Sequence, residues 1–311
     1  MLRSPKRMPG RSLASEFFAR VIRDMFDRGA ERGVESLRRS MDKAGGQVRA
    51  KVKVEISDTQ IAGVPCRITK PAGQNTDAAA RNPVVVYLHG GGFVVGSPAG
   101  YQNLISQLAH HAGATVIAPD YRLSPEHPFP AAQEDCLRVT EAVLNDFADV
   151  PVCLAGDSAG GNLAINTALS LAKIGRDKAV ASLLLISPWV EPTADSGSML
   201  TNEPNDVFAL PFLQQSYAAH IGAADPFNPR VNFLNADLSG LPDTHTQAGG
   251  GELFIDQIMQ FHERALAAGV NARLDVFATQ FHDFQTISPM LKDAKDAVLS
   301  LAATIRAAGR D

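Results

Sequence analysis

Apolar positions change their period along this chain, and the changes mark out its elements. Phe18, Val21, Ile22, Met25 and Phe26 fall at the i, i+3, i+4 spacing of an amphipathic helix. Gly29 and Gly33 loosen that pattern before Val34, Leu37 and Met41 predict a shorter second helix. From Val48 the period drops to two. Val48, Ala50, Val52, Val54 and Ile56 share one face, and Val64, Cys66 and Ile68 follow a turn, which predicts paired antiparallel strands. Residues 71–82 read as an exposed connection. From Pro83 onward, short continuous apolar runs at residues 84–88, 114–118, 152–155, 183–186 and 273–277 alternate with helical patterns over 101–111, 131–147, the stretch after 158, and 293–308. Strands apolar on both faces and separated by helices predict a mostly parallel sheet in an α/β fold. Residues 187–243 break the rhythm: they are rich in Pro, Asn and Asp, with a helix predicted over 211–221, and the chain returns to the sheet at Thr244. The returning strand, Thr244-His245-Thr246-Gln247-Ala248, is polar enough to suggest a sheet edge or an interface.

Composition narrows the function more than the fold. The 311 residues are 45% hydrophobic and 20% charged, enough for one large α/β domain with an insertion or lid and a sizeable core. A formal net charge of −4 gives no reason to expect a nucleic-acid partner or binding to an anionic membrane, so small-molecule chemistry is the better expectation. Three scattered cysteines, Cys66, Cys136 and Cys153, form neither a disulfide framework nor a zinc spacing, which suits a reducing, cytoplasmic setting. Arg3, Lys6, Arg7 and Arg11 make the amino terminus basic, but no apolar stretch follows as a secretory signal needs. No run approaches the roughly 18 apolar residues of a membrane span. No metal or organic cofactor is implied.

The candidate chemistry centres on Gly156-Asp157-Ser158-Ala159-Gly160. A serine between glycines is often only a polar turn. Here an apolar run precedes it and a helical pattern follows, so the serine sits where a strand turns sharply into a helix, with small residues required two positions to either side. That setting marks Ser158 as a nucleophile. His89-Gly90-Gly91-Gly92 closes an earlier strand, where ligands sit in open α/β sheets. Its glycines expose backbone N–H groups, and Gly91, Gly92 and Ala159 are the candidate donors to a developing oxyanion. The loop lacks the Lys-Ser/Thr ending of a phosphate-binding loop. A serine hydroxyl also needs a base. Of eight histidines, His282 follows the last predicted strand and precedes the last helix, in the chain order nucleophile, acid, histidine.

These residues together resemble a family. His89 to Gly92, the run from Tyr121 to Ala132 (YRLSPEHPFPAA), Gly156 to Leu163 and Ser187-Pro188-Trp189-Val190 are similar to the hormone-sensitive-lipase family of α/β-hydrolases, whose microbial members are carboxylesterases. The resemblance implies an α/β-hydrolase fold with residues 47–311 as the catalytic domain, and a helical cap built from residues 1–46 with help from 190–243. It also implies a serine esterase that hydrolyses short- to medium-chain carboxylic esters through an acyl-enzyme, with a small-molecule ester as its partner; a homodimer is compatible with the pattern but not read from it. Phe17, Phe18, Phe208 and Phe212 are candidates to line an acyl pocket.

The family's acid is most often an Asp in Asp-Pro-Leu-x-Asp, and the corresponding segment here is Gly251-Glu252-Leu253-Phe254-Ile255-Asp256. Glu252 stands at the first position, 30 residues before His282, and is favoured as the triad acid over Asp256, which falls in the first turn of a helix. Asp283 stands where the family commonly has Gly. A lactonase, amidase or acyltransferase would use the same residues; a ligand-binding receptor on this fold would lack the histidine.

Overall fold

The computed structural model describes residues 8–48, 51–73, 82–193 and 197–309. Arg3, Lys6, Arg7 and most of the connection at 71–82 lie outside the described residues. Two helices come first, α1 (Leu13–Glu31) and α2 (Val34–Gln47), then a hairpin of β1 (Val54–Ile61) and β2 (Val64–Pro71). The alternating core follows: β3 (Val84–Leu88), α3 (Gln102–Ala112), β4 (Thr115–Pro119), α4 (Ala131–Asp146), β5 (Val152–Asp157), α5 (Ser158–Lys173) and β6 (Ser182–Ile186). A short turn of helix α6 (Ser198–Thr201) and α7 (Leu210–Ile221) lead to β7 (Thr244–Gly249), α8 (Ile255–Ala267), β8 (Ala272–Phe277) and α9 (Lys292–Ala308).

Among the described residues eight strands form one sheet in the order β1-β2-β4-β3-β5-β6-β7-β8. β1 and β2 are antiparallel to each other, and β2 is antiparallel to β4; all other neighbours are parallel. Side chains alternate across the buried strands. Val84, Val86, Leu88, Leu154 and Leu183 join one core with α4, α5 and α8, while Val85, Tyr87, Cys153, Ala155 and Leu184 join another with α3 and α9. Continuous apolar runs are the sequence signature of strands covered on both faces.

Two expectations about strands are corrected. Of the alternating positions from Val48, Ala50 lies outside the described residues, and the first strand starts at Val54, opposite Pro71 at the end of β2. The polar strand β7 is not at an edge: it is buried between β6 and β8. Three of its polar side chains have fixed partners, which offsets the cost of desolvation. His245 lies 2.8 Å from Thr304 Oγ1 and 3.0 Å from Asp275 Oδ2, Gln247 donates to the Ala297 carbonyl at 3.0 Å, and Thr244 Oγ1 donates to the Pro242 carbonyl at 2.8 Å.

Gly29 lies inside α1 and lets α2 pack closely: a Cβ there would lie 2.4 Å from Leu37 Cδ1. Burial of Phe26 and Leu37 contributes about 1.5–3 kcal/mol each. Arginines then fasten this helix pair to the body. The buried Arg23 guanidinium donates to the carbonyls of Glu203, Asp206 and Phe208 at 3.1, 3.1 and 2.7 Å and pairs with Glu203 at 2.6 Å. Arg11 donates to the Thr279 and Asn205 carbonyls, and Arg38 to those of Val94 and Ser124. The planar, multi-donor guanidinium suits such carbonyl clusters better than an ammonium would.

Candidate active site

Ser158 sits at the junction of β5 and α5 with φ 50°, a left-handed conformation that is uncommon for a serine. Its neighbours explain how the strain is held. A Cβ on Gly156 would lie 2.3 Å from the Gly160 carbonyl oxygen, and one on Gly160 would lie 2.1 Å from the Leu88 carbonyl oxygen. The elbow is therefore pressed against the end of β3, where the glycine loop begins. Asp157 Oδ1 fastens the two together, accepting the Tyr87 hydroxyl at 2.6 Å and the Gly90 N–H at 2.9 Å.

Within the loop, Gly91 has φ 115° and Gly92 φ 61°. The Gly91 carbonyl accepts the N–H groups of Val94 and Val95. Among the described residues no protein acceptor takes the Gly91 or Gly92 N–H. Ala159, in the first turn of α5, contributes one of the amides that a helix start leaves without an intrahelical partner. His89 is a packing residue, stacked on Tyr121 with ring centroids 4.3 Å apart and lying 2.8 Å from the Gly90 carbonyl; burial lowers its pKa to about 4.

His282 and Glu252 come together from the loops that follow β8 and β7. Both are buried, and His282 Nδ1 stands 4.0 Å from Glu252 Oε2. That oxygen also accepts the Ser187 hydroxyl at 2.6 Å and the Gly249 N–H at 3.0 Å. Burial pushes the Glu252 carboxyl up to about 8, while the His282 imidazole and these donors pull the other way, since each favours the charged form. Asp256 is elsewhere: its Oδ2 accepts the Ser198 N–H at 2.7 Å and caps α6.

Three residues were not singled out by sequence reasoning for the parts they hold here. Asp206, buried in the excursion between β6 and β7, accepts the His282 N–H on Oδ1 at 2.9 Å and the Leu253 N–H on Oδ2 at 2.7 Å. Ser187, with φ 43°, donates to Glu252 and accepts the Asp283 N–H at 3.3 Å. Asp283 Oδ2 lies 3.1 Å from His282 Nε2, and burial pushes the carboxyls of both Asp283 and Asp157 above the ordinary carboxylate range. No local pattern announces the first of these. Ser187 lies in a motif the family resemblance named, and Asp283 departs from that family's usual glycine.

Beside the imidazole opens a chamber of about 360 Å³, lined by apolar side chains that include Phe18, Met25, Phe26 and Phe208, and by His282 and Asp283. Of the four phenylalanines expected around an acyl pocket, Phe18 and Phe208 line this chamber. Phe212 packs on Phe26 and Phe208 above Gly92, and Phe17 points outward, 61% exposed. A second cavity, of about 440 Å³, lies between α5 and residues 229–240, away from these groups. Among the described residues no group of three or more His, Cys, Asp or Glu side chains is placed to hold a metal ion, and no helix is long and apolar enough to cross a membrane.

Comparison with known proteins agrees with this fold. Residues 85–286 match the family model described as the alpha/beta hydrolase fold. An acetyl-hydrolase of Streptomyces hygroscopicus is 32% identical over 226 residues, 72% of this chain and 75% of that protein. An esterase of Acinetobacter venetianus is 31% identical over 242 residues, 76% of this chain and 80% of its own length. A crystal structure of an esterase from the bacterial hormone-sensitive lipase family superimposes with a TM-score of 0.85 at 30% identity, covering 96% of this chain and 99% of that one. The chain thus belongs to the α/β-hydrolase-fold family, in its hormone-sensitive-lipase branch.

Proposed function

We infer that this protein is a serine esterase that hydrolyses short- to medium-chain carboxylic esters through an acyl-enzyme. The observation that carries the reading is a buried histidine paired with a buried carboxylate 4.0 Å away beside an apolar chamber, on a sheet whose elbow serine is strained. Relatives named esterase and acetyl-hydrolase support it.

Ser158 Oγ attacks the ester carbonyl as His282 takes its proton. Glu252 orients the imidazole and stabilises its charged form. The tetrahedral oxyanion is received by the N–H groups of Gly91, Gly92 and Ala159, donors fixed before the charge develops. His282 returns the proton to the leaving alcohol, and water repeats the sequence on the acyl-enzyme. Residues 1–46 with 190–243 act as the cap, residues 47–311 as the catalytic domain, and the chamber under α1 takes an apolar part of the ester. Among the described residues its walls carry no Lys or Arg to recognise an acidic substrate, which favours neutral esters. Three buried free cysteines suit the reducing cytoplasm as the compartment.

Hydrolysis of p-nitrophenyl esters from acetate to octanoate tests the reading directly. Turnover is expected with butanoate and is expected to disappear in Ser158→Ala. A wild-type chain inactive on the whole series overturns it.

A further inference from the structure

The apolar chamber meets the His282 ring at one end. Asp283, whose Oδ2 lies 3.1 Å from Nε2, is part of the chamber wall, whereas Glu252, 4.0 Å from Nδ1, is not. The chamber therefore begins at the Nε2 edge of the imidazole, the edge that must hand a proton to the substrate. Among the described residues its walls include none of Ser158, Gly91, Gly92 and Ala159, the groups placed around the reacting carbon.

Acyl transfer fixes which part of an ester can lie there. In the tetrahedral intermediate the carbon is bonded to Ser158 Oγ, to the oxyanion, to the acyl substituent and to the oxygen of the alcohol. The oxyanion belongs in the glycine loop. Collapse breaks the bond to the alcohol oxygen, and the proton that His282 took from Ser158 goes to that oxygen, which must therefore come within hydrogen-bond reach of Nε2. The alcohol leaves from the Nε2 side, and the acyl substituent takes the direction that remains. Over the glycine loop α7 stands close: a Cβ on Gly92 would lie 3.2 Å from Ser216 Cβ and 3.8 Å from Phe212 Cε1. The chamber, by contrast, holds about 360 Å³, and Val21 and Met290 in its wall are half exposed, so it opens to solvent.

We propose that this chamber is the alcohol subsite, and that the protein selects esters whose large apolar part is the alcohol. Phe18, Ile22, Met25 and Phe208 then hold the leaving group, and the opening beside Val21 and Met290 lets a longer alcohol reach out toward solvent. Each methylene moved from water onto such walls strengthens binding several-fold. The value of kcat/KM consequently climbs more steeply with the length of the alcohol than with the length of the acyl chain. The inference rests on the esterase reading and adds to it the division of the ester between the two sides of the serine.

Hexyl acetate and ethyl hexanoate are isomers that differ only in which side of the ester carries the long chain. In wild type, kcat/KM for hexyl acetate should exceed that for ethyl hexanoate by ~10-fold or more. Ala44→Phe, which fills the chamber from its α2 wall, should cut that ratio by ~5-fold or more, and Phe18→Ala, which strips a wall instead, should lower it as well. Both rates are read on one preparation, so a loss of folded protein cancels in the ratio, and the wild-type ratio decides without any variant. A wild-type ratio at or below unity, or a ratio that neither variant lowers, overturns the proposal and leaves the esterase reading standing. Turnover of neither isomer nor of p-nitrophenyl butanoate overturns the esterase reading, and this proposal falls with it.

Discussion

Asp206 holds His282 by the backbone, accepting its N–H on Oδ1 at 2.9 Å, while Oδ2 takes the Leu253 N–H at 2.7 Å. One carboxylate thus sets the distance between the loop that carries Glu252 and the loop that carries His282. Asp206→Ala leaves both amides buried without an acceptor, a cost of about 1–3 kcal/mol for each. We expect kcat for p-nitrophenyl butanoate to fall by roughly 10- to 100-fold with a smaller change in KM, because misplacing the base by a fraction of an ångström acts on the transition state. Melting temperature should fall with it. A wild-type kcat in this variant would remove Asp206 from the site's supports.

The two carboxylates that competed for the triad separate cleanly in their predicted phenotypes. Glu252→Gln should lose ~10²- to 10⁴-fold in kcat, since an amide cannot stabilise the charged imidazole. Asp256→Asn should keep kcat within a few-fold and instead lose about 0.5–2 kcal/mol of stability, the usual value of a cap on a backbone N–H. Steady-state kinetics and chemical denaturation on the two variants decide it; full activity in Glu252→Gln with loss in Asp256→Asn would reverse the roles.

Gly92 offers a test of the oxyanion loop that leaves the triad alone. Its φ of 61° is strained for any side chain, and a new Cβ would lie 3.2 Å from Ser216 Cβ. Gly92→Ala should therefore rotate the peptide and cost ~10- to 10³-fold in kcat, the range seen when one oxyanion donor is lost. Unchanged kcat in a folded Gly92→Ala protein would exclude this amide as a donor.

Acid stability carries a signature of His220. The ring is buried against Phe93 with centroids 3.9 Å apart and lies within 3.3 Å of Ser124 Oγ and 3.1 Å of Gln133 Nε2; burial lowers its pKa to about 3. A base whose folded pKa is depressed stabilises the fold above the unfolded pKa, near 6.5, and that contribution is lost as pH falls toward the folded value. His220→Phe abolishes the titration but keeps a stacking ring. Its melting temperature should trail wild type most near neutrality, with the gap closing as pH falls from about 6.5 toward 4. A gap that is constant with pH rules out His220 as the source. Working with the difference is necessary because Glu252, whose carboxyl burial pushes up to about 8, contributes with the opposite sign and is lost as pH rises.

The residues that could be read in advance are those whose role is written into their immediate neighbours. Ser158 is legible because its strain demands small residues at fixed offsets, and β3, β5 and β6 because strands covered on both faces are apolar without interruption. β7 misled for the complementary reason: its His and Gln side chains are satisfied by Thr304, Asp275 and Ala297, distant in sequence, and alternation alone carries no sign of them. Asp206 escaped notice likewise, since a carboxylate that binds backbone amides 47 and 76 residues away has no sequence partner to covary with its spacing. Phe17 and Phe18 are adjacent and aromatic, and only the helix's placement on the body sends one outward and the other into the chamber.

Arg23 gives the amino-terminal helices a second duty. Its guanidinium grips the carbonyls of Glu203, Asp206 and Phe208, so the segment that braces Glu252 and His282 is itself tethered to α1. The helix pair is then less a door than a tie-rod: swinging it away would loosen the frame on which the base and acid are mounted. Removing residues 1–46 should therefore lower kcat as well as uncover the chamber, and Arg23→Ala alone should reproduce part of the loss in kcat with the roof still in place.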